Sequence, residues 1–361
     1  MNLKFKLGLI MIAIIAVVIT GIAVMLLNTA SGLTIGLNND LVDAMGDGQA
    51  NYWNGKQESH LSVLRTLADV MSGYAALPAE SRRDQFDAML SSVIQVNDDI
   101  ITLYTVWKPN ALDGMDARYI NRIGSTATGQ YAMAYTRENG MLEAQAAADA
   151  AVADADASMT HITGPDAKKQ KLETPVLRKV NGKDTYLLRM MVPIIDPRAQ
   201  EVAGAVGCLL DIGLIQNGLE QVLRENAVIA AMAIYDDTGF ILASYAPDRV
   251  GKNLRDVDTI YGGRIQDAFQ TVQRGENAML SSYSPVLETN VEMNLKSFQI
   301  GASDKTWTVM IAVTEEFMLL EVYHMTRFTI ILAAIAVIIS AAIIFAVLTM
   351  SLPERSGKKS G

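Results

Sequence analysis

Two apolar runs, residues 7–27 and 328–350, lie almost at the two ends of this 361-residue chain. Each is long enough to cross a bilayer as a helix, which takes about 20 apolar residues. Whatever separates them must therefore lie on one side of the membrane. Lys4 and Lys6 precede the first run, and Arg355, Lys358 and Lys359 follow the second. The positive charge nearest the spans marks both termini as cytoplasmic. The stretch from about Asn28 to Thr326 is then extracytoplasmic.

The first run exceeds the ~7–15 apolar residues of a cleavable signal. Its exit, Leu27-Asn28-Thr29-Ala30, is a poor cleavage site, so the run is read as a retained anchor. Neither span contains Asp, Glu, Lys, Arg or His, which argues against an ion or proton pathway. A formal net charge of -9 and the lack of a basic, aromatic-interleaved patch argue against nucleic acid as a partner. Cys208 is the single cysteine, so no intramolecular disulfide braces the exported part. That part exceeds one compact domain of about 100–150 residues and is expected to form two.

Helical spacing continues past the first span. Leu61, Leu64, Ala68, Met71 and Ala75 recur at steps of three and four, beside a second stripe of Val63, Leu67, Val70 and Tyr74. Two stripes predict a helix that packs on its own domain and on a second copy of itself. Gly46, Gly48 and Gly55 weaken its earlier part. Pro78 ends it, and residues 80–95 read as a second helix with Phe86, Met89, Leu90 and Val93 on one face. Strands are expected at 101–107 and 130–137, a helix at the alanine-rich 141–157, and strands at 174–179 and 183–194 joined by the turn pair Asn181-Gly182. A glycine-spaced strand at 202–212 closes this domain. A helical linker, 214–225, leads into a smaller domain of the same type: a hairpin across Asp237-Thr238-Gly239, a helix at 258–274 and three strands at 278–285, 293–301 and 307–313. Residues 315–350 can run as one helix into the bilayer.

Particular residues carry a family resemblance. The segment YTVWKPNALDGMDARY at 104–119, TGQY at 128–131, Pro193-Ile-Ile and GAVGCLLDIGL at 204–214 resemble the double Cache sensor domain of bacterial methyl-accepting chemotaxis proteins. The resemblance covers residues 33–316. It implies an α+β fold of two tandem PAS-like modules on a long N-terminal helix, flanked by two transmembrane helices. The implied division is a cytoplasmic tail (1–6), transmembrane helix 1 (7–27), stalk and dimerisation helix (28–77), membrane-distal ligand-binding module (78–213), membrane-proximal module (214–314), juxtamembrane helix (315–327), transmembrane helix 2 (328–350) and a cytoplasmic tail (351–361). It further implies a homodimer in the bacterial inner membrane that binds a small ligand, needs no cofactor, and moves a helix across the membrane.

Two departures bear on that expectation. Amino-acid-binding members carry an arginine and a tryptophan-tyrosine pair where this chain has Ser158-Met159-Thr160-His161, so a free amino acid is not the expected ligand. Ser351-Leu-Pro353 resembles the entry to a HAMP relay, yet the given sequence stops at Gly361. The expectation is a sensor whose output is missing or supplied by a partner. The alternatives are a membrane-anchored binding or scaffold module, or the sensor half of a histidine kinase or cyclase.

The binding candidates follow from residue chemistry. Arg189 interrupts the apolar strand Tyr186-Leu-Leu-Arg-Met-Met-Val192, and a buried arginine must be paired. Its partner is either a ligand carboxylate or phosphate, or an internal Asp211 or Glu173. Tyr131, Tyr135 and Arg137 alternate onto one strand face, and Trp107 lies on a face of another, which together suits a pocket for a small organic ligand. Tyr104 falls on the face opposite Trp107. Asp211 either caps the following helix or, as the resemblance implies, holds a cationic ligand group. A carboxylate-bearing small molecule is the expected ligand. His60, His161 and His324 are scattered, so an enzyme lacks its base-nucleophile pair or metal cluster.

Overall fold

The computed structural model describes residues 3–146 and 155–350. The HAMP-like segment and the basic residues Arg355, Lys358 and Lys359 lie outside the described residues. The chain divides into two units, one of residues 1–43 and 314–361 and the other of residues 44–313.

The first unit holds two helices long and apolar enough to cross a membrane, each with an 18-residue window of mean hydropathy 3.1. They are the first part of α1 (Leu3–Ser72) and α7 (Glu315–Met350). Ile10, Val17 and Ile22 on one, and Ile330, Ile335 and Ile338 on the other, present their side chains outward, the pattern of a surface meant for lipid. Between the helices, Asn38 Nδ2 donates to the carbonyl of Met318 at 2.7 Å.

The second unit is α+β and carries two sheets. The larger is built from β1 (Ile100–Trp107), β2 (Met133–Glu138), β3 (Met141–Ala146), β4 (Lys171–Leu172), β5 (Val176–Val180), β6 (Lys183–Ile195) and β7 (Val202–Asp211). Its order is β3-β2-β1-β7-β6-β4, with β5 also paired to β6. α2 (Arg82–Val96) and the end of α1 cover one face, and α3 (Ala155–Thr163) covers the other. α4 (Gly213–Glu225) leads to a five-stranded sheet of β8 (Ala231–Asp236), β9 (Ile241–Ser244), β10 (Ala278–Ser284), β11 (Thr289–Gln299) and β12 (Thr306–Thr314), ordered β10-β11-β12-β8-β9. The short α5 (Leu254–Val257) and α6 (Ile265–Arg274) pack on it.

Turn chemistry sets the register. Asn181 and Gly182 take φ values of 51° and 76°, the two left-handed positions of a tight hairpin, and Val180 pairs with Lys183. Asn139 and Gly140 repeat the device at 48° and 81°, with Glu138 opposite Met141. The helix expected over 141–157 is corrected accordingly. Its first six residues are the returning strand β3, residues 147–154 lie outside the described residues, and α3 begins at Ala155.

The expected seam of α1 is also reassigned. Leu61, Leu64, Ala68 and Met71 are all buried within this chain, and so are Leu67 and Tyr74 of the second stripe. The outward face of the helix is instead Ser59, Ser62, Thr66 and Val70. α1 also runs unbroken through Gly46, Gly48 and Gly55. Gly46 has a packing reason: a Cβ there would sit 2.8 Å from Asn294 Oδ1 of β11.

The two sheets are joined by side chains as well as by α4. Thr174 Oγ1 donates to Asp236 Oδ2 at 2.8 Å, and the Tyr186 ring meets Phe240 edge-on at 5.5 Å. Gln216 of α4 donates to the Ser244 carbonyl at 2.9 Å and accepts from the Ser244 amide at 2.8 Å, which fixes the linker helix to β9.

Candidate functional site

β1 runs through the middle of the larger module, and its alternation sorts side chains onto two faces. Trp107 points toward α1 and α2. Its ring stacks on Phe86 at 5.9 Å and meets Tyr74 edge-on at 5.2 Å, and its Nε1 donates to Thr105 Oγ1 at 3.0 Å. Tyr135 lies opposite Leu103 on the same face. Tyr131 donates its hydroxyl to Asp87 Oδ1 of α2 at 2.6 Å. Arg137 donates to the Ile94 carbonyl at 2.7 Å, where a cation suits the C-terminal end of α2. Trp107, Tyr131 and Arg137 therefore fasten α2 and the turn that follows α1 to the sheet, and Tyr135 lies on the same face.

Arg189 belongs to the other face. Met191, two residues on, pairs with Gly207, which also pairs with Tyr104, so Arg189, Met191 and Tyr104 share the side covered by α3. The register thus separates Arg189 from the aromatic group with which it was expected to line one pocket. Arg189 Nη1 lies 3.1 Å from Glu173 Oε2, and Glu173 Oε1 lies 2.9 Å from Lys171 Nζ. Of the two internal partners considered for Arg189, the structure selects Glu173.

Tyr104 completes this face. Its hydroxyl is 3.1 Å from Ser158 Oγ of α3, and burial pushes its pKa up to about 12 against the opposing field of Arg189. Room for the ring comes from Gly207: a Cβ there would lie 2.4 Å from it. Val106, Ala132, Ala134, Ile162, Met191 and Ala205 supply the apolar surround. The face thus offers a guanidinium, a phenol and a hydroxyl set in hydrocarbon. Its legible signal was Arg189 itself; Ser158 was marked only as part of the stretch where this chain departs from the amino-acid-binding members.

Asp211 stands apart from both groups. Its Oδ1 accepts from the amide of Gly213, the first residue of α4, at 2.7 Å. It also lines a different cavity, between α1 and α4.

The 108–132 connection, which carries much of the family resemblance, is organised by a buried arginine that pattern reading missed. Arg83 Nε donates to Asp113 Oδ2 at 2.7 Å, and Nη2 donates to Asp113 Oδ1 at 3.2 Å and Asp116 Oδ1 at 2.7 Å. Nη1 donates to Ser125 Oγ at 3.0 Å and to the Gly129 carbonyl at 2.9 Å. The guanidinium lies 3.9 Å from the Tyr119 ring centroid and 5.4 Å from that of Tyr131. Burial alone would raise the Asp113 pKa, but hydrogen bonds from Arg83 and the Met115 amide hold it below the usual carboxylate range.

With this geometry in view, the likeness to known proteins can be read. The extracellular domain of the histidine kinase mmHK1S-Z3 superposes with a TM-score of 0.65 at 20% identity, covering 80% of this chain and 98% of that one. The periplasmic sensory domain of the Campylobacter jejuni chemoreceptor Tlp1 gives 0.61 at 16% identity, covering 79% and 98%. The fold is the double Cache fold. In sequence, the chain is 22% identical over 264 residues to the methyl-accepting chemotaxis protein TlpQ of Pseudomonas aeruginosa, covering 67% of this chain and 34% of that protein. The chain therefore spans about a third of the length of this curated relative. No protein-family profile matches it.

Within this double Cache fold, Asp87 gives a test of the helix-facing side. Burial pushes its carboxyl up to about 6, against the Tyr131 hydrogen bond that favours the anion. A raised carboxyl pKa means that the folded state favours the proton, so the contribution is present below about pH 4 and lost as pH rises through about 6. Asp87→Asn keeps an acceptor for Tyr131. It is predicted to stabilise the protein by roughly 1–2 kcal/mol at pH 7.5, discounted for partial exposure, with the gain fading toward pH 4. Thermal unfolding of both forms across that range checks it, and a destabilised variant at pH 7.5 contradicts it.

Proposed function

We propose that the protein is a chemoreceptor-type transmembrane sensor, non-enzymatic, whose module of residues 78–213 binds a small carboxylate-bearing molecule at Arg189 on the α3 face. The module of residues 214–314 and α7 then carry the resulting displacement inward. The observation that carries this reading is the buried Arg189, paired with the half-buried Glu173 beside Tyr104 and Ser158. Glu173 is shared between Lys171 and Arg189, so an incoming carboxylate can take its place on the guanidinium while Glu173 keeps a cation. The double Cache fold supports a sensing role, and TlpQ, a methyl-accepting chemotaxis protein, supports chemotaxis as the output.

A competing internal carboxylate has a measurable consequence. A ligand at about 100 times its dissociation constant stabilises the native state by roughly 2.7 kcal/mol. In a thermal-shift screen of the full chain in detergent, carboxylates should raise the melting temperature of the parent and not of Arg189→Ala. Glu173→Gln, which removes the competitor, should bind the same carboxylates more tightly. Equal shifts in parent and Arg189→Ala, or hits confined to free amino acids, would contradict the proposal.

The same reading includes an inner-membrane location, an extracytoplasmic sensor and a parallel homodimer through α1. The outward stripe of Ser59, Ser62, Thr66 and Val70 is small enough to let two helices approach closely. In a Cys208→Ser background, Ser62→Cys and Thr66→Cys should react with a membrane-impermeant maleimide on spheroplasts and crosslink between copies. Leu64→Cys and Met71→Cys, buried in the protomer, should do neither. Absence of labelling at Ser62→Cys would reject the topology, and labelling without crosslinking at either position would reject the dimer.

A further inference from the structure

A cavity of about 380 Å³ lies away from Arg189, between α1, α4 and the near end of the larger sheet. Its direction can be derived from the pairing. Ile100 pairs with Leu210, which brings Asp99 beside Asp211 at one end of the sheet. His60 Nε2 is 3.8 Å from Asp99 Oδ2, so that end of the cavity meets α1 at His60. Seven residues earlier on α1, Trp53 packs on Gly218, seven residues beyond Asp211, and a Cβ at Gly218 would lie 2.8 Å from the indole. The two helices therefore run antiparallel and enclose a slot. From His60 to Tyr52 it extends eight helical residues, about 12 Å.

Charge is graded along this slot. Asp99 and Asp211 stand at the sheet end, Lys56 follows one turn below His60, and Arg224 lies at the far end, more than two turns of α4 beyond Asp211. Between the ends the walls carry the amides Gln57, Asn217 and Gln221, and Leu188, Leu210 and Ile215 form an apolar floor. Two lining residues that are nine-tenths or more buried have polar atoms without a hydrogen-bond partner among the described residues: Trp53 Nε1, a donor, and Gln57 Oε1, an acceptor. Buried polar atoms of this kind call for a partner.

We propose that this slot is a second binding site, for a short peptide or peptide-like zwitterion lying along α1. The ammonium sits between Asp99 and Asp211, and the carboxylate reaches toward Lys56 and Arg224. Backbone amides of the ligand meet Gln57, Asn217 and Gln221. An extended chain advances at most about 3.3–3.6 Å per residue, so a slot of this length accepts about three residues. A free amine supplies donors only and a carboxylate acceptors only, which matches the order of charges and fixes the orientation. Because the ligand would lie against α1 itself, it acts on the stalk helix without passing through the Arg189 face. The proposal is independent of the ligand assigned to Arg189, and failure of one leaves the other standing.

Calorimetry on the full chain in lipid nanodiscs tests this with three probes: trialanine, its N-acetyl form and its C-terminal amide. Trialanine is expected to bind, and each blocked form to bind roughly tenfold more weakly or worse. Asp211→Asn retains an acceptor for the Gly213 amide, so with Asp99→Asn it should fold normally and lose the preference for a free amine. Lys56→Gln with Arg224→Gln should lose the preference for a free carboxylate. The melting transition of each variant without peptide confirms its fold. No heat from trialanine at millimolar concentration, equal affinity for all three probes, or preferences that survive both pairs of substitutions would overturn the proposal.

Discussion

Burying a guanidinium is costly unless all of its donors are met, and Arg83 meets that condition within the protein: its five N–H groups reach Asp113, Asp116, Ser125 and the Gly129 carbonyl. All four partners sit on the long connection between β1 and β2, and Gly129 among them carries a φ of 83°. Arg83 therefore decides where that connection closes. Closing it starts β2 at Met133, in register with β1, and that register sends Tyr131 and Tyr135 toward α2 and Ala132 and Ala134 toward α3. Removing the arginine would leave the inaccessible carboxylate of Asp113 without the counter-ion it touches. Losses of this kind are typically 3–5 kcal/mol.

A division of labour between the two faces of the sheet follows. The helix-facing side is rich in aromatic rings and specific hydrogen bonds, but each of these connects one structural element to another. The α3 side is largely hydrocarbon; Thr102 and Thr136 satisfy each other on it, and Arg189, Glu173, Tyr104 and Ser158 form a second polar group. Aromatic enrichment alone would point to the first face as the pocket. The proposed ligand is assigned to the second because a buried charge there is paired with a charge it can exchange.

Much of the architecture was legible in the residues. Hydropathy located the spans, Asn181-Gly182 located a hairpin, and Leu214 to Glu225 was read as the linker helix that α4 proves to be. Asn139-Gly140 carries the same turn signal, yet the alanine-rich stretch behind it suggested helix, and local propensity was overruled by pairing with β2. Arg83 was missed for a related reason. The buried face of α2 is Arg83, Phe86, Leu90 and Ile94, and hydrophobic periodicity counts an arginine as the solvent side. The site residues were legible as types but not as a set. Strand alternation places side chains within one strand, whereas the placing of Trp107 and Arg189 on opposite faces depends on the β1–β7–β6 register, which involves residues about 80 positions apart in sequence.

The central claim is that ligand is sensed on the α3 face while the α2 face is structural. Amide hydrogen exchange of the full chain, with and without a stabilising carboxylate, tests it most directly. Slowed exchange in α3 and the middle of β6, with α2 and residues 131–137 unchanged, is the predicted result. Protection confined to α2 and residues 131–137 would contradict it.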